Sequence, residues 1–131
     1  MSRFLSVAEV VVIHDQVIER WGGHHGVRDS PLLESALGAP QQSFDGELLH
    51  ADVFAQAAAL LRSLTLNHPF IDGNKRAAFL SVVVFLELNG WTLEVLDKDA
   101  IRFMLDLASA KPALETISAW LSSHSRRRGD Y

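Results

Sequence analysis

Residues 77–86, AAFLSVVVFL, carry one polar side chain, Ser81, in ten positions. The pattern around them reads as a helix from Asn74 to Asn89, stopped by Gly90. A helix that is apolar nearly all round has no face to give to water and must be enclosed by other elements. Crossing a bilayer takes about 20 apolar residues, so this run is too short for a membrane span and belongs in a protein core. At 131 residues the chain supports one such core and one domain.

The rest of the chain supplies the cover, again mostly as helices. Ser6 and Glu9 have capping-box spacing, and Val10, Ile13, Val17 and Trp21 recur on one face until Gly22 and Gly23 stop the helix. The loop GGHHGVRD, residues 22–29, leads to Ser30-Pro31, which read as an N-cap and a proline at the first helical position. That short helix ends at Gly38. Residues 39–50 are irregular, and the Asp45-Gly46 turn signal suits a hairpin or a flap. Asp52 is placed to cap a helix with Val53, Ala57, Leu60, Leu61 and Leu64 on one face. It should end near Asn67, because Pro69 disfavours helical geometry at His68. Beyond the apolar helix, WTLEV at 91–95 is a short β-like segment. Asp97 or Asp99 is placed to cap a helix running to about Ala110, and Pro112 opens a last helix through Trp120 and Leu121. These elements describe an all-α fold, a compact bundle of about six helices around a buried central helix, with at most a short β segment. The domain is expected to occupy residues 1–124, with 125–131, SRRRGDY, as a basic, frayed tail.

The formal net charge is −4 and the pI about 5.8, so the chain lacks the basic excess of a general nucleic-acid binder. It has no cysteine, which excludes disulfides, thiolate catalysis and cysteine zinc sites. The opening MSRFLSVAEV lacks the apolar core and cleavage site of a signal peptide. A soluble, cytoplasmic protein without a membrane partner is expected.

The chemistry concentrates in NHPFIDGNKRAAF, residues 67–79, immediately before the apolar run. His68 lies past the end of one helix and Asn74 begins the next, so the loop presents its groups at a helix N-terminus. Free amides and the macrodipole make that end attractive to anions. Gly73 permits a tight turn, and Asn74 has the chemistry to cap the helix or to donate to an oxygen. Lys75 and Arg76 add two cations, and arginine can hold a phosphate through two parallel bonds. Asp72 is a lone carboxylate, and Mg²⁺ is commonly held by one carboxylate, phosphate oxygens and water. His68 has the ordinary pKa of a base near neutrality. Phe70 and Ile71 flank the acid as anchors. Together the parts describe phosphoryl or nucleotidyl transfer. Singly, each residue also has a structural reading as a turn, a cap or a solvated first turn. Elsewhere, His14-Asp15 reads as orienting the first helix or the loop after it, and Arg28-Asp29 as a loop-fixing pair. His24 and His25 are a metal pair only if further ligands converge on them.

At these residues the chain resembles the Fic/Doc family, whose signature is His-x-Phe-x-(Asp/Glu)-Gly-Asn-Gly-Arg-x-x-Arg. His68, Phe70, Asp72, Gly73, Asn74 and Arg76 match it in register. Lys75 stands at the second glycine and Phe79 at the final arginine, and both departures resemble the Doc (death on curing) branch. The stretch HDQVIERWGGHHGVRDSPLLESAL, residues 14–37, shares the layout of that branch.

The resemblance implies a toxin of a toxin–antitoxin system that acts as a protein kinase on ATP. His68 would be the general base, Asp72 would hold Mg²⁺ on the nucleotide phosphates, and Gly73, Asn74, Lys75 and Arg76 would form the anion-binding nest. Phe70 would anchor the motif. The implied target is a threonine of elongation factor Tu, and the implied partner an antitoxin whose C-terminal segment folds onto the toxin. Residues 41–47 fall where the family has its substrate-positioning flap. Two other readings stand beside this one: a Fic-type AMP transferase using the same residues with the nucleotide reversed, and a non-catalytic interaction module that keeps the fold.

Overall fold

Ser6 and Glu9 form the expected capping box. The Ser6 hydroxyl accepts from the Glu9 amide, and the Glu9 carboxylate accepts from the Ser6 amide, opening α1 (Val7–Trp21). This is a computed structural model, and it describes residues 1–129. Val10, Ile13, His14, Val17 and Ile18 form the buried face of α1. Trp21, expected on that face, is instead 44% exposed. It occupies the last turn, where its ring faces the guanidinium groups of Arg20 and Arg76 rather than the core.

Helix α2 (Ser30–Gly38) is capped by Asp29 and not, as the sequence suggested, by Ser30. The Asp29 carboxylate accepts from the Leu32 amide at 2.9 Å, a stronger acceptor than a hydroxyl at that position. Ser30 and Pro31 then fill the first two helical positions. A 3-10 turn (Ala39–Gln41) follows. The irregular stretch after it contains a hairpin, β1 (Ser43–Phe44) and β2 (Glu47–Leu48), with Asp45 and Gly46 both at positive φ. That is the turn chemistry Asp-Gly favours.

Two helices share the centre. Asp52 caps α3 (Val53–Asn67), its carboxylate accepting from the Ala55 amide at 2.8 Å. Helix α4 (Asn74–Leu88) buries Ala77, Ala78, Ser81, Val82, Phe85 and Leu86. α3 and α4 pack on each other, α1 covers α4, and α2 and α6 (Leu114–Ser123) cover α3. Full burial of a leucine or phenylalanine such as Leu86 or Phe85 contributes about 1.5–3 kcal/mol, so these contacts make the motif's mount rigid. Helix α5 (Asp97–Ala110) has Leu96 as its N-cap. Asp97 and Asp99, expected as caps, lie inside the first turn, where they complement the helix dipole without making a cap bond.

The WTLEV segment forms β3 (Trp91–Leu93), which pairs antiparallel with β4 (Ser125–Arg127). Residues 125–127, expected to fray, therefore lie in a strand. The ladder sets their backbone against β3, and their cations have partners: Arg126 pairs with Glu94, and the Arg127 guanidinium lies 5.4 Å from the Trp91 ring centroid. The end of the expected tail, residues 130 and 131, lies outside the described residues. Among the described residues the architecture is six α-helices with two small antiparallel sheets. No helix among the described residues is long and apolar enough to cross a membrane.

Candidate functional site

Pro69 stops α3, and His68 caps its C-terminus in the left-handed region at φ 47°. Its side chain is left exposed at the mouth of the loop. The last carbonyls of α3 are then satisfied from elsewhere. Arg28 donates from Nε to the His68 carbonyl at 2.8 Å and from Nη2 to the Asn67 carbonyl at 3.0 Å. A cation at a helix C-terminus also opposes the negative end of the dipole.

This contact belongs to a seam between two loops. The Arg28 and Asp29 amides both donate to the Pro69 carbonyl, the Ile71 amide donates to the Gly26 carbonyl, and Val27 bridges Phe70. Arg28 and Asp29 do fix the loop, but through separate partners and not as a pair with each other. Residues 22–29 thus act as a splint for residues 68–73.

Within the motif, Phe70 is 2% exposed and lies face to face with the His14 imidazole, with ring centroids 3.9 Å apart and planes 4° apart. Asn74 clamps the same residue. Its Oδ1 accepts from the Phe70 amide at 2.9 Å, and its Nδ2 donates to the Phe70 carbonyl at 3.0 Å. Of the two roles open to Asn74, it therefore takes the second: it holds the loop and does not cap α4.

Asp72 is exposed, and its carboxylate is aimed by two amides. Oδ1 accepts from Gly73 at 2.9 Å and Oδ2 from His24 at 3.3 Å. The Asp72 carbonyl accepts from His14 Nε2 at 2.7 Å. Gly23 is required beside it: at φ 115°, an added β-carbon would lie 2.6 Å from Asp72 Oδ2. Gly73, the N-cap of α4 at φ 71°, has Ile18 and Val17 close behind it.

Among the described residues no side chain caps the N-terminus of α4, and no acid lies in its first turn. Lys75 and Arg76 occupy that turn and are both exposed. The Arg76 guanidinium rests 5.1 Å from the centroid of Trp21. These three side chains, with Phe79, Leu80 and residues of α5, line a cavity of about 400 Å³. Phe79 is half-buried and packs against the core.

His25 sits between two carboxylates of α1, with Nδ1 3.0 Å from Asp15 and Nε2 3.1 Å from Glu19. The hydrogen bond to Asp15 raises its pKa, and Glu19 adds to the effect. No cluster of three or more metal-ligating side chains occurs among the described residues. Of the motif residues, Phe70, Asp72, Gly73 and Asn74 are joined by direct bonds, Lys75 and Arg76 follow on the same helix, and His68 stands at the loop's other end. Sequence reasoning gave Gly23 and Gly26 no role at this loop. Their signal was the glycine spacing of residues 22–26, which lets one backbone lie against another.

The arrangement offers a polar loop splinted rigidly at the positive end of a buried helix, and known proteins share its sequence. The model of the Fic/DOC family matches residues 4–86, which include α1, the splint and the whole motif. The chain is similar to Toxin Doc of Mycolicibacterium smegmatis, 38% identical over 105 residues that cover 78% of this chain and 80% of that protein. It is also similar to Protein kinase doc of Escherichia phage P1, 35% identical over 88 residues covering 67% and 69% of the two chains. With the family model matched over residues 4–86 and relatives 35–38% identical over most of its length, the chain belongs to the Fic/Doc family.

Proposed function

We propose that this protein is a Doc-type toxin that transfers the γ-phosphate of ATP to a hydroxyl of a target protein. The observation that carries the reading is the N-terminus of α4. It has no side-chain cap and no acid in its first turn, and it bears two exposed cations. Amides and cations so placed suit the phosphates of a nucleotide. The names of the two relatives, a toxin and a protein kinase, support the same reading.

His68 would take the proton of the attacking hydroxyl. As that oxygen bonds to the γ-phosphorus, the bond from phosphorus to the β–γ bridging oxygen breaks, and ADP leaves with the electron pair. Gly73, Asn74, Lys75 and Arg76 would supply the cradle, and Phe70 its anchor. Asp72 suits Mg²⁺: it is an exposed carboxylate, and among the described residues each oxygen accepts one amide, which leaves lone pairs for an ion otherwise held by phosphate and water. Such an ion would neutralise charge on the phosphates.

Lys75 and Phe79 support γ-transfer over transfer of AMP. The typical family motif has a glycine and an arginine at these places. Here the side chain at 79 is an apolar wall that offers no charge to distal phosphates. A Doc-type reading carries with it an antitoxin partner, a threonine of elongation factor Tu as the acceptor, arrest of translation, and action in the cytoplasm.

Parallel incubations with α- and γ-labelled ATP test the reaction. Label should reach elongation factor Tu from the γ position only. Label from the α position would make the protein an AMP transferase, and no label from either, with the fold intact, would favour a binding module.

A further inference from the structure

We infer that His14 is a positioning residue for the proposed reaction: by donating from Nε2 to the Asp72 carbonyl, it sets the direction of the Asp72 carboxylate and of the Gly73 amide. The consequence for metal binding rests on the reading of Asp72 as the Mg²⁺ residue.

A carbonyl oxygen only accepts, so the 2.7 Å contact requires the proton on His14 Nε2. His14 is 1% exposed, so water has little access to the donor. The imidazole cannot turn freely either, because Phe70 covers its face at 3.9 Å. The donor's aim is therefore fixed by packing.

The peptide bonds of the described residues are trans, and in a trans peptide C=O and N–H point in opposite directions. Holding the Asp72 carbonyl toward α1 turns the Gly73 N–H away from α1. There it meets Asp72 Oδ1 at 2.9 Å. The second oxygen is held by the His24 amide. One buried proton on α1 thus orients a peptide plane, and the plane orients the carboxylate. α1 also lies close behind the next residue: a β-carbon added at Gly73 would come within 3.2 Å of Ile18 Cδ1 and 3.5 Å of Val17 Cγ1.

The test compares wild type with His14→Phe, His14→Gln, His14→Asn and Asp72→Ala. Phenylalanine keeps a flat ring against Phe70 and removes the donor. Glutamine places an amide N–H about as far out as Nε2, while asparagine falls short. Two readouts are taken: calorimetric titration of MgCl2 in the presence of a β,γ-imido analogue of ATP, and the Gly73 amide resonance of the ligand-free protein. His14→Phe and His14→Asn should weaken Mg²⁺ binding by about tenfold or more, the usual cost of losing a residue that orients a metal ligand, and should shift the Gly73 resonance. His14→Gln should return both toward wild type, even if it melts at a lower temperature. Unchanged affinity and an unshifted Gly73 resonance in His14→Phe would overturn the inference. So would glutamine performing no better than asparagine, a comparison that decides alone if the phenylalanine variant does not fold. If wild type and Asp72→Ala bind Mg²⁺ equally, the failure lies in the metal role of Asp72. The Gly73 resonance then still reports whether His14 orients the peptide.

Discussion

Helices α1 and α4 are each 15 residues long and pack against each other, yet their N-termini are built in opposite ways. α1 is finished by its own side chains. Ser6 and Glu9 cap each other's amides, and Arg3 pairs with Glu9 at 2.8 Å. α4 is left open: its N-cap is a glycine, its asparagine is spent on Phe70, and its first turn carries two cations against the dipole. The other helices side with α1. Each has a carboxylate at the cap or in the first turn: Asp29, Asp52, Asp97 with Asp99, and Glu115. One buried scaffold therefore holds a self-sufficient helix end beside one with no carboxylate of its own in the first turn, and the second is the end that carries the motif.

The contrast is broken most severely at His68. His68→Ala removes the proposed base without touching α4, so transfer from γ-labelled ATP should fall by about 10²- to 10⁴-fold. The thermal melt should be retained. Full transfer by a folded variant would remove His68 from the mechanism. Lys75→Glu gives α4 the acid its neighbours have. It should raise stability by about 0.3–1 kcal/mol in denaturant unfolding, while nucleotide binding is lost in titration. A variant that is both more stable and still binds would show that the open end is not the phosphate site. Ser6→Ala damages the closed end instead. It should cost about 1 kcal/mol and leave nucleotide affinity unchanged.

The smallest effect is the pH dependence of that closed end. The Ser6 amide, and then Arg3, hold the Glu9 carboxyl below its ordinary value of 4.5. A depressed folded pKa contributes stability above the unfolded value and loses it as pH falls through the folded one. The stability difference between wild type and Glu9→Gln should therefore be full above about pH 4.5 and vanish as the pH drops below it. A difference that stays constant down to acid pH would mean that the cap does not depend on the charge.

Features written in neighbouring residues were legible in the sequence. The α1 capping box, the Asp52 cap, the Asp45-Gly46 turn and the stop before Pro69 each depend on partners within four positions. Asp29 and Ser30 show the limit of that logic, because two adjacent cap types fit one helix start and only the backbone geometry chooses. What remained hidden depends on distant partners. The bond from His14 to Asp72 spans 58 positions and that from Arg28 to His68 spans 40. No local pattern announces either. Residues 125–127 read as a solvated basic run because the strand that receives them lies more than 30 positions earlier. The motif itself was legible as the mark of a family, but its splint was not, since the two loops meet only when α1 packs on α4.

His68 holds a φ of 47°, which glycine adopts freely and a residue with a β-carbon resists. Its side chain is exposed, so the core gains little from keeping it. Laboratory evolution under heat alone would therefore favour glycine at position 68, and would erase the imidazole while improving the protein by the criterion applied. Only a screen that also scores activity would keep the histidine.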